Sequence, residues 1–358
     1  MRDLVQATVA IIIVCALLFV AADQLQSRGS AGSKDTLTVF NWGEYIDPDL
    51  IDKFEKETGI QVTYETFDSN EAMLTKVQQG GSAYDIAVPS EYTIESMKED
   101  NLLIPIDHSK IPNLKYINED FLDLPFDEKN EYSIPYFWGT VGIVYNPNLI
   151  EDHLTFESWD DLWDESLKRK VFLVDGSREV IGMGLNSIGQ SLNIKDDTTL
   201  RQATDKLITL SPNVKAIIGD EITPLMINNE AAVALTWSGQ AADMLWENEE
   251  LDFAVPKEGS NLWFDNMVIP KTSKNVEGAH KFINFMLDPE NSAQNADYVG
   301  YSTPNEGAWD LMDAEVIEDE RFYPNHEQRE TLEVYENLGL KWLGKYNEYF
   351  LEFKMSLH

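Results

Sequence analysis

The sequence predicts a layered α/β protein of roughly two domains. Short apolar strands alternate with amphipathic helices along most of the chain. The length of 358 residues suits about two domains of ~150 residues each. Hydrophobic residues at 43% and charged residues at 25% are the composition of a packed globular chain, not of a disordered one.

Taken in order, the elements begin with an apolar run, Val9–Ala22. Its length falls between a signal-peptide core and a spanning helix. Val20-Ala21-Ala22 offers a small-residue cleavage site, Arg2 is offset by Asp3, and Val14 before Cys15 is too large for a lipid-attachment signal. Residues 1–22 therefore read as a signal peptide or membrane anchor and residues 23–35 as a flexible polar linker. Either way, the body is expected outside the cytoplasm.

Leu37–Phe40 reads as a strand. Asp47-Pro48 opens a helix as N-cap and first helical residue, and Gly59 closes it after Leu50, Ile51 and Phe54 turn inward. Ile60–Phe67 alternates as a strand, Ser69 caps a second helix ending at Gly80-Gly81, and Tyr84–Val88 is a strand leading into Pro89-Ser90 and a third helix. The pattern resumes with a strand at Val171–Val174 and a helix from Arg178. It continues with a strand at Ala232–Thr236 and a helix from Gln240. Asn261–Pro270 is an apolar strand, and Ala279, Phe282, Ile283, Met286 and Leu287 form one helical stripe. Pro135–Asn146 is the candidate hinge strand between domains. His280, beside Lys281, is expected on a solvated face.

Charge and motif content narrow the function. Lys and Arg total 27 against 63 Asp and Glu, a net charge of −36, and residues 1–35 sum to zero, so the body carries all of it. Such a surface repels nucleic acid and anionic membranes. The single Cys15 excludes a disulfide framework and a Cys-based metal site. His108, His153, His280, His326 and His358 lack metal-ligand spacing, and no nucleophile-elbow, phosphate-loop or dinucleotide motif is present. No cofactor is expected.

Ligands of open α/β sheets sit outside the carboxyl ends of the strands. Reading past each predicted strand gives Trp42 and Tyr45, Ser90 and Tyr92, Asp175 and Glu179, then Trp237. Trp263 and Asp265, two apart on one strand, share a face. Aromatic rings and carboxylates, with Arg178 almost alone among cations, suit an organic ammonium ion: ring faces attract the charge and acids accept its hydrogen bonds. An acid inside an apolar strand, as Asp265 is, needs a partner if buried.

At these residues the chain resembles the spermidine/putrescine-binding proteins of bacterial ABC importers. The matching stretches are VFNWGEYIDPDLIDKFEKETGIQV (39–62), SNEAM (69–73), YDIAVPSEY (84–92), SIPYFWGTVGIVYN (133–146), VDGSREV (174–180), LTWSGQA (235–241), WFDNMVIPK (263–271) and GYSTPN (300–305). The resemblance implies a two-lobed, type II periplasmic-binding-protein-like fold that closes over its ligand on a hinge. Its lobes would comprise residues 36–140 with 264–308, and 141–263 with 309–358. It implies a cleft lined by Trp42, Tyr45, Ser90, Tyr92, Trp237, Trp263 and Tyr301, with Asp265 and Glu179 taking ammonium groups. It further implies a monomer that delivers spermidine or putrescine to a membrane ABC permease and catalyses nothing. Two positions depart from the family. Asp175-Gly176 stands where the family carries two adjacent acids, and a polar amide that some members contribute from the C-terminal region falls near Glu336; Asp175 and Glu336 are the ligand-binding candidates at these two positions. The rival readings are a receptor for another solute and a secreted hydrolase using Asp265 and Glu179 as an acid–base pair.

Overall fold

A computed structural model describes residues 36–357, so the N-terminal apolar run and its linker lie outside the described residues. The first half of the fold comprises β1 (Thr36–Trp42), α1 (Pro48–Thr58), β2 (Gln61–Phe67), α2 (Asn70–Gln79), β3 (Ile86–Ala87) and α3 (Glu91–Glu99). After a loop-rich stretch come β4 (Ser133–Tyr145), β5 (Val171–Val174), α4 (Ser177–Asn186), α5 (Asp197–Leu210), β6 (Val214–Ile218) and α6 (Ile222–Ile227). Then follow β7 (Val233–Trp237), α7 (Ser238–Glu247), β8 (Asp252–Ala254), β9 (Leu262–Val268), α8 (Val276–Met286), α9 (Pro289–Val299) and the C-terminal α10 (Gly339–Met355).

Helix boundaries follow local chemistry. Asp47 accepts from the Asp49 N–H at 2.9 Å to cap α1, and Gly59 ends it at φ 72°. Ser69 caps α2 through the Ala72 N–H, and Gly80 ends it in the same left-handed conformation. The stripe read on α8 is buried in full: Ala279, Phe282, Ile283, Met286 and Leu287 are all core.

The strands run in the order β2-β1-β3-β9-β4-β7-β5-β6, with β8 also on β4. Pairing is parallel on either flank (β2-β1-β3 and β7-β5-β6) and antiparallel around β4 and β9. One long strand, β4, serves both flanks. Its Ser133–Thr140 portion pairs with β9 and its Val141–Tyr145 portion with β7 and β8. The expected hinge strand is this one. The register shifts between Pro135 and Phe137, a bulge of the kind that re-aims side chains. Tyr136 and Phe137, neighbours that a regular strand would point to opposite faces, both reach the ring of Tyr45, at 5.7 and 5.2 Å.

The structure corrects three local expectations. The strand before Ser90 contracts to Ile86–Ala87, and the helix after β7 begins at Ser238, directly on the strand, two residues before Gln240. His280 is not solvated. It is 3% exposed, its Nδ1 donating to the Val276 carbonyl at 2.7 Å and its Nε2 accepting from the Asp107 N–H at 2.9 Å. The loop carrying Asp107 covers that face of α8, which periodicity within the helix does not reveal.

Asp85 ties the first flank together. Its Oδ1 accepts from the Ser273 hydroxyl and the Lys274 and Asn275 N–H groups, each at 2.8 Å, and its Oδ2 from the Thr38 N–H at 2.9 Å. One buried carboxylate thus fixes β1 to the turn that starts α8. Asp85→Asn weakens four charge-assisted bonds and turns an amide N–H₂ towards donors. A loss of about 2–4 kcal/mol is expected in urea unfolding of the unliganded protein; a change below about 0.5 kcal/mol would remove the tie from the account.

Candidate functional site

The carboxyl ends of the parallel strands meet where β4 and β9 cross, and Asp265 stands there on β9. Its side chain is 7% exposed. The Ser90 hydroxyl donates to Oδ1 and the Tyr45 hydroxyl to Oδ2, both at 2.7 Å. Burial raises the carboxyl to about 6, against the pull of those two hydrogen bonds. Among the described residues no Lys, Arg or His pairs with it. Burial, and then the neighbouring Asp265 charge, push the Tyr45 hydroxyl well above its ordinary value.

Ser90 sits at the N-cap of α3 yet makes no side-chain bond to its own helix. Its hydroxyl is given to Asp265 instead. Asn70, 5% exposed, supports it: Nδ2 donates to the Ser90 hydroxyl at 3.0 Å and the Tyr92 hydroxyl at 2.9 Å, while Oδ1 accepts from the Ser90 N–H at 3.1 Å. A chain of hydrogen bonds therefore runs from the first turn of α2 through Ser90 to the acid.

Rings enclose the acid. Tyr301 meets Tyr45 and Trp263 edge-on, each at 5.4 Å between centroids. Trp263 anchors its indole N–H on the Thr140 carbonyl at 3.3 Å. Tyr136 donates to the Tyr45 carbonyl at 2.7 Å and accepts from Asn295 at 2.8 Å, holding Tyr45 from behind. Trp42 and Trp237 are the terminal residues of β1 and β7, both half-buried. Trp42 leans on Phe67 at 4.5 Å, and its buried indole N–H has no hydrogen-bond partner among the described residues.

Glu179 lies in the first turn of α4, its carboxyl raised by burial. A Cβ at position 176 would stand 2.1 Å from its Oε2, so the glycine there leaves room that the Glu179 carboxyl occupies. Tyr92 and Tyr335, whose rings meet at 6.4 Å, both feel the Glu179 charge.

Two expected residues are not brought to this group. Asp175 is exposed and holds Lys354 Nζ of α10 at 2.8 and 3.0 Å. Glu336 exposes its side chain and contributes only main chain, its carbonyl accepting from Arg178 at 3.3 Å and its N–H donating to Asn193 at 2.9 Å.

Sequence reasoning missed Asn70, Tyr335 and Glu91, and noted Arg178 only as a cation beside the strand-end acids. Arg178 is 6% exposed and stacks on Tyr335 at 4.0 Å, with Tyr346 at 5.3 Å and Tyr92 at 5.9 Å. Glu91 is fully buried; one oxygen accepts from the Phe264 N–H at 2.9 Å, the other has no hydrogen-bond partner among the described residues, and burial raises the carboxyl to about 8. An Asn directly after the N-cap Ser69 was the one available signal for Asn70. Tyr335 lies in aperiodic chain and offered none. Among the described residues no cluster of His, Cys, Asp and Glu is arranged to hold a metal ion.

Flanks of parallel strands whose carboxyl ends face one another across shared crossing strands form the two-lobed architecture of a solute receptor. The chain belongs to the bacterial extracellular solute-binding protein family, whose model matches residues 49–324. It is 37% identical over 329 residues to the spermidine/putrescine-binding periplasmic protein of Escherichia coli K12, covering 92% of this chain and 94% of that protein. It is 34% identical to the putrescine-binding periplasmic protein PotF of the same organism, covering 84% and 86%. Among solved structures, a putative spermidine/putrescine ABC transporter from Listeria monocytogenes superposes with a TM-score of 0.85 at 62% identity, covering 90% of this chain and 99% of that one. The substrate-binding protein PotD of Streptococcus pneumoniae superposes at 0.83 with 56% identity, covering 90% and 100%.

Asp265 has a testable cost. Its carboxyl titrates near 3.8 when unfolded and at about 6 when folded, so the folded chain holds the additional proton between those values. Stability from this group is therefore lost as pH rises from about 4 to 6. Asp265→Asn removes the charge; one hydroxyl can still donate to the amide oxygen, and the other turns to accept from the amide N–H₂. In the unliganded protein it should be more stable than wild type at pH 7, on the order of 2–3 kcal/mol, with the gap closing near pH 4. A variant destabilised equally at both pH values would contradict the assignment.

Proposed function

We propose that the protein is an extracytoplasmic receptor that captures spermidine or putrescine between its lobes and delivers it to a membrane ABC permease. One observation carries this reading: Asp265 is a buried carboxyl, oriented by two hydroxyls inside a ring cage, and has no cation of its own among the described residues. A ligand ammonium supplies the missing charge, ring edges and faces exclude water around it, and Glu179 takes a second ammonium. Trp42, Tyr45, Ser90, Tyr92, Trp237, Trp263 and Tyr301 line the cleft, while Asp175 and Glu336 act outside it. The names of the relatives support polyamines over other solutes. The body's net charge of −36 adds a long-range field that concentrates a polycation near the mouth.

Residues 36–140 with 264–308 form one lobe and 141–263 with 309–358 the other, joined by β4, β9 and the segment after Gly300. The receptor works as a monomer outside the cytoplasmic membrane, its residues 1–22 serving as signal or anchor. Capture and release are the whole cycle, with no bond made or broken. None of the helices among the described residues is long and apolar enough to cross a membrane.

A thermal-shift panel tests the reading. Ligand at about 100 times Kd adds roughly 2.7 kcal/mol of stability. Spermidine or putrescine at micromolar concentration should raise the melting temperature of the purified protein, and glucose and glutamate should not. Asp265→Asn should weaken polyamine binding by about 1.5–3 kcal/mol. A shift with a sugar and none with any polyamine would overturn the proposal.

A further inference from the structure

Tyr301 follows Gly300, the left-handed residue (φ 78°) that ends α9, and its ring lies on the first turn of α7. The contact is at Gly239. A Cβ built there would stand 1.8, 1.9 and 2.3 Å from Cε1, Cδ1 and Cζ of the Tyr301 ring, well inside any tolerated approach. Gly239 is helical and outside the left-handed region, so the backbone does not need a glycine there. Glycine weakens a helix relative to alanine. What this one supplies is space.

The ring has little room to step aside. Its other edges meet Tyr45 and Trp263, and Trp263 is itself seated on a glycine: a Cβ on Gly139 would lie 2.4 Å from Cζ2. On the other side, α7 is tied to the crossing strand, its Ser238 hydroxyl accepting from the Thr140 N–H at 3.1 Å. Tyr301 therefore spans from the end of α9 to the start of α7, segments that the lobe division above assigns to opposite lobes.

We propose that Gly239 is the closure seat of the receptor: Tyr301 docks on α7 as the lobes meet, and the missing side chain at 239 lets the ring cage shut around the ligand. Gly239 touches no ligand in this scheme; it positions Tyr301. The inference rests on the receptor reading, and wild-type polyamine binding, measured alongside, tests that reading separately.

Gly239→Ala should weaken spermidine binding about tenfold to a hundredfold by calorimetry, the usual effect of forcing a methyl into a filled site. The melting temperature of the unliganded variant should not fall, and the ligand-induced compaction seen for wild type by small-angle scattering should be reduced. In a Tyr301→Ala background the same Gly239→Ala change should cost less than about twofold, because the clashing ring is gone. Binding by Gly239→Ala within about twofold of wild type would overturn the proposal. So would an alanine penalty that persists undiminished without the Tyr301 ring. A Gly239→Ala chain that fails to fold alone but folds with Tyr301→Ala would show the contact to be present before closure, and would also overturn it.

Discussion

The structure turns on a carboxyl group placed where water cannot serve it. Asp265 sits on a crossing strand with its two oxygens bonded to Ser90 and Tyr45. Hydroxyl donors orient a carboxylate without cancelling its charge, so burial holds the group towards its neutral form. Much of the neighbouring structure serves this arrangement. Ser90 forgoes capping its own helix, Asn70 fixes Ser90 and Tyr92 together, and the bulge in β4 stacks Tyr136 and Phe137 behind Tyr45. Each of these gives up a local preference to a site formed by residues distant in sequence.

The two buried acids, Asp265 and Glu179, are held in different ways. Here Asp265 faces two hydroxyls, while Glu179 folds back over Gly176 beside the Arg178–Tyr335 stack. Arg178 places a guanidinium in this neighbourhood, and its hydrogen bonds to Asn193 and the Glu336 carbonyl hold the C-terminal segment against α4. Burial raises the carboxyls of Glu91 and Glu179, and the positive charge of Arg178 pulls both the other way.

Much of this was legible in the chain because it is local. Asp47, Gly59, Ser69 and Gly80 announce their helices through capping chemistry, and the two-residue spacing of Trp263 and Asp265 fixes a shared face. Reading past strand ends located Tyr45 and Ser90, although Trp42 and Trp237 close their strands and do not follow them. What stayed hidden depends on partners distant in sequence. Lys354, 179 residues away, draws Asp175 outward. A loop from the first flank buries His280. Tyr335 gains its place from stacking on Arg178, with no periodicity to mark it. Glu91 reads as an ordinary acidic residue in a first helical turn, and only the structure shows it buried against the Phe264 N–H.

Proton accounting on binding tests the central claim most directly. Calorimetric titration with spermidine at pH 6, repeated in buffers of different ionisation enthalpy, counts the protons exchanged. If the ligand replaces the proton on a carboxyl that titrates at about 6, wild type should release up to about half a proton per ligand at that pH. The release should shrink at pH 8 and be smaller in Asp265→Asn. Binding with no proton release at pH 6, or with uptake, would contradict the account.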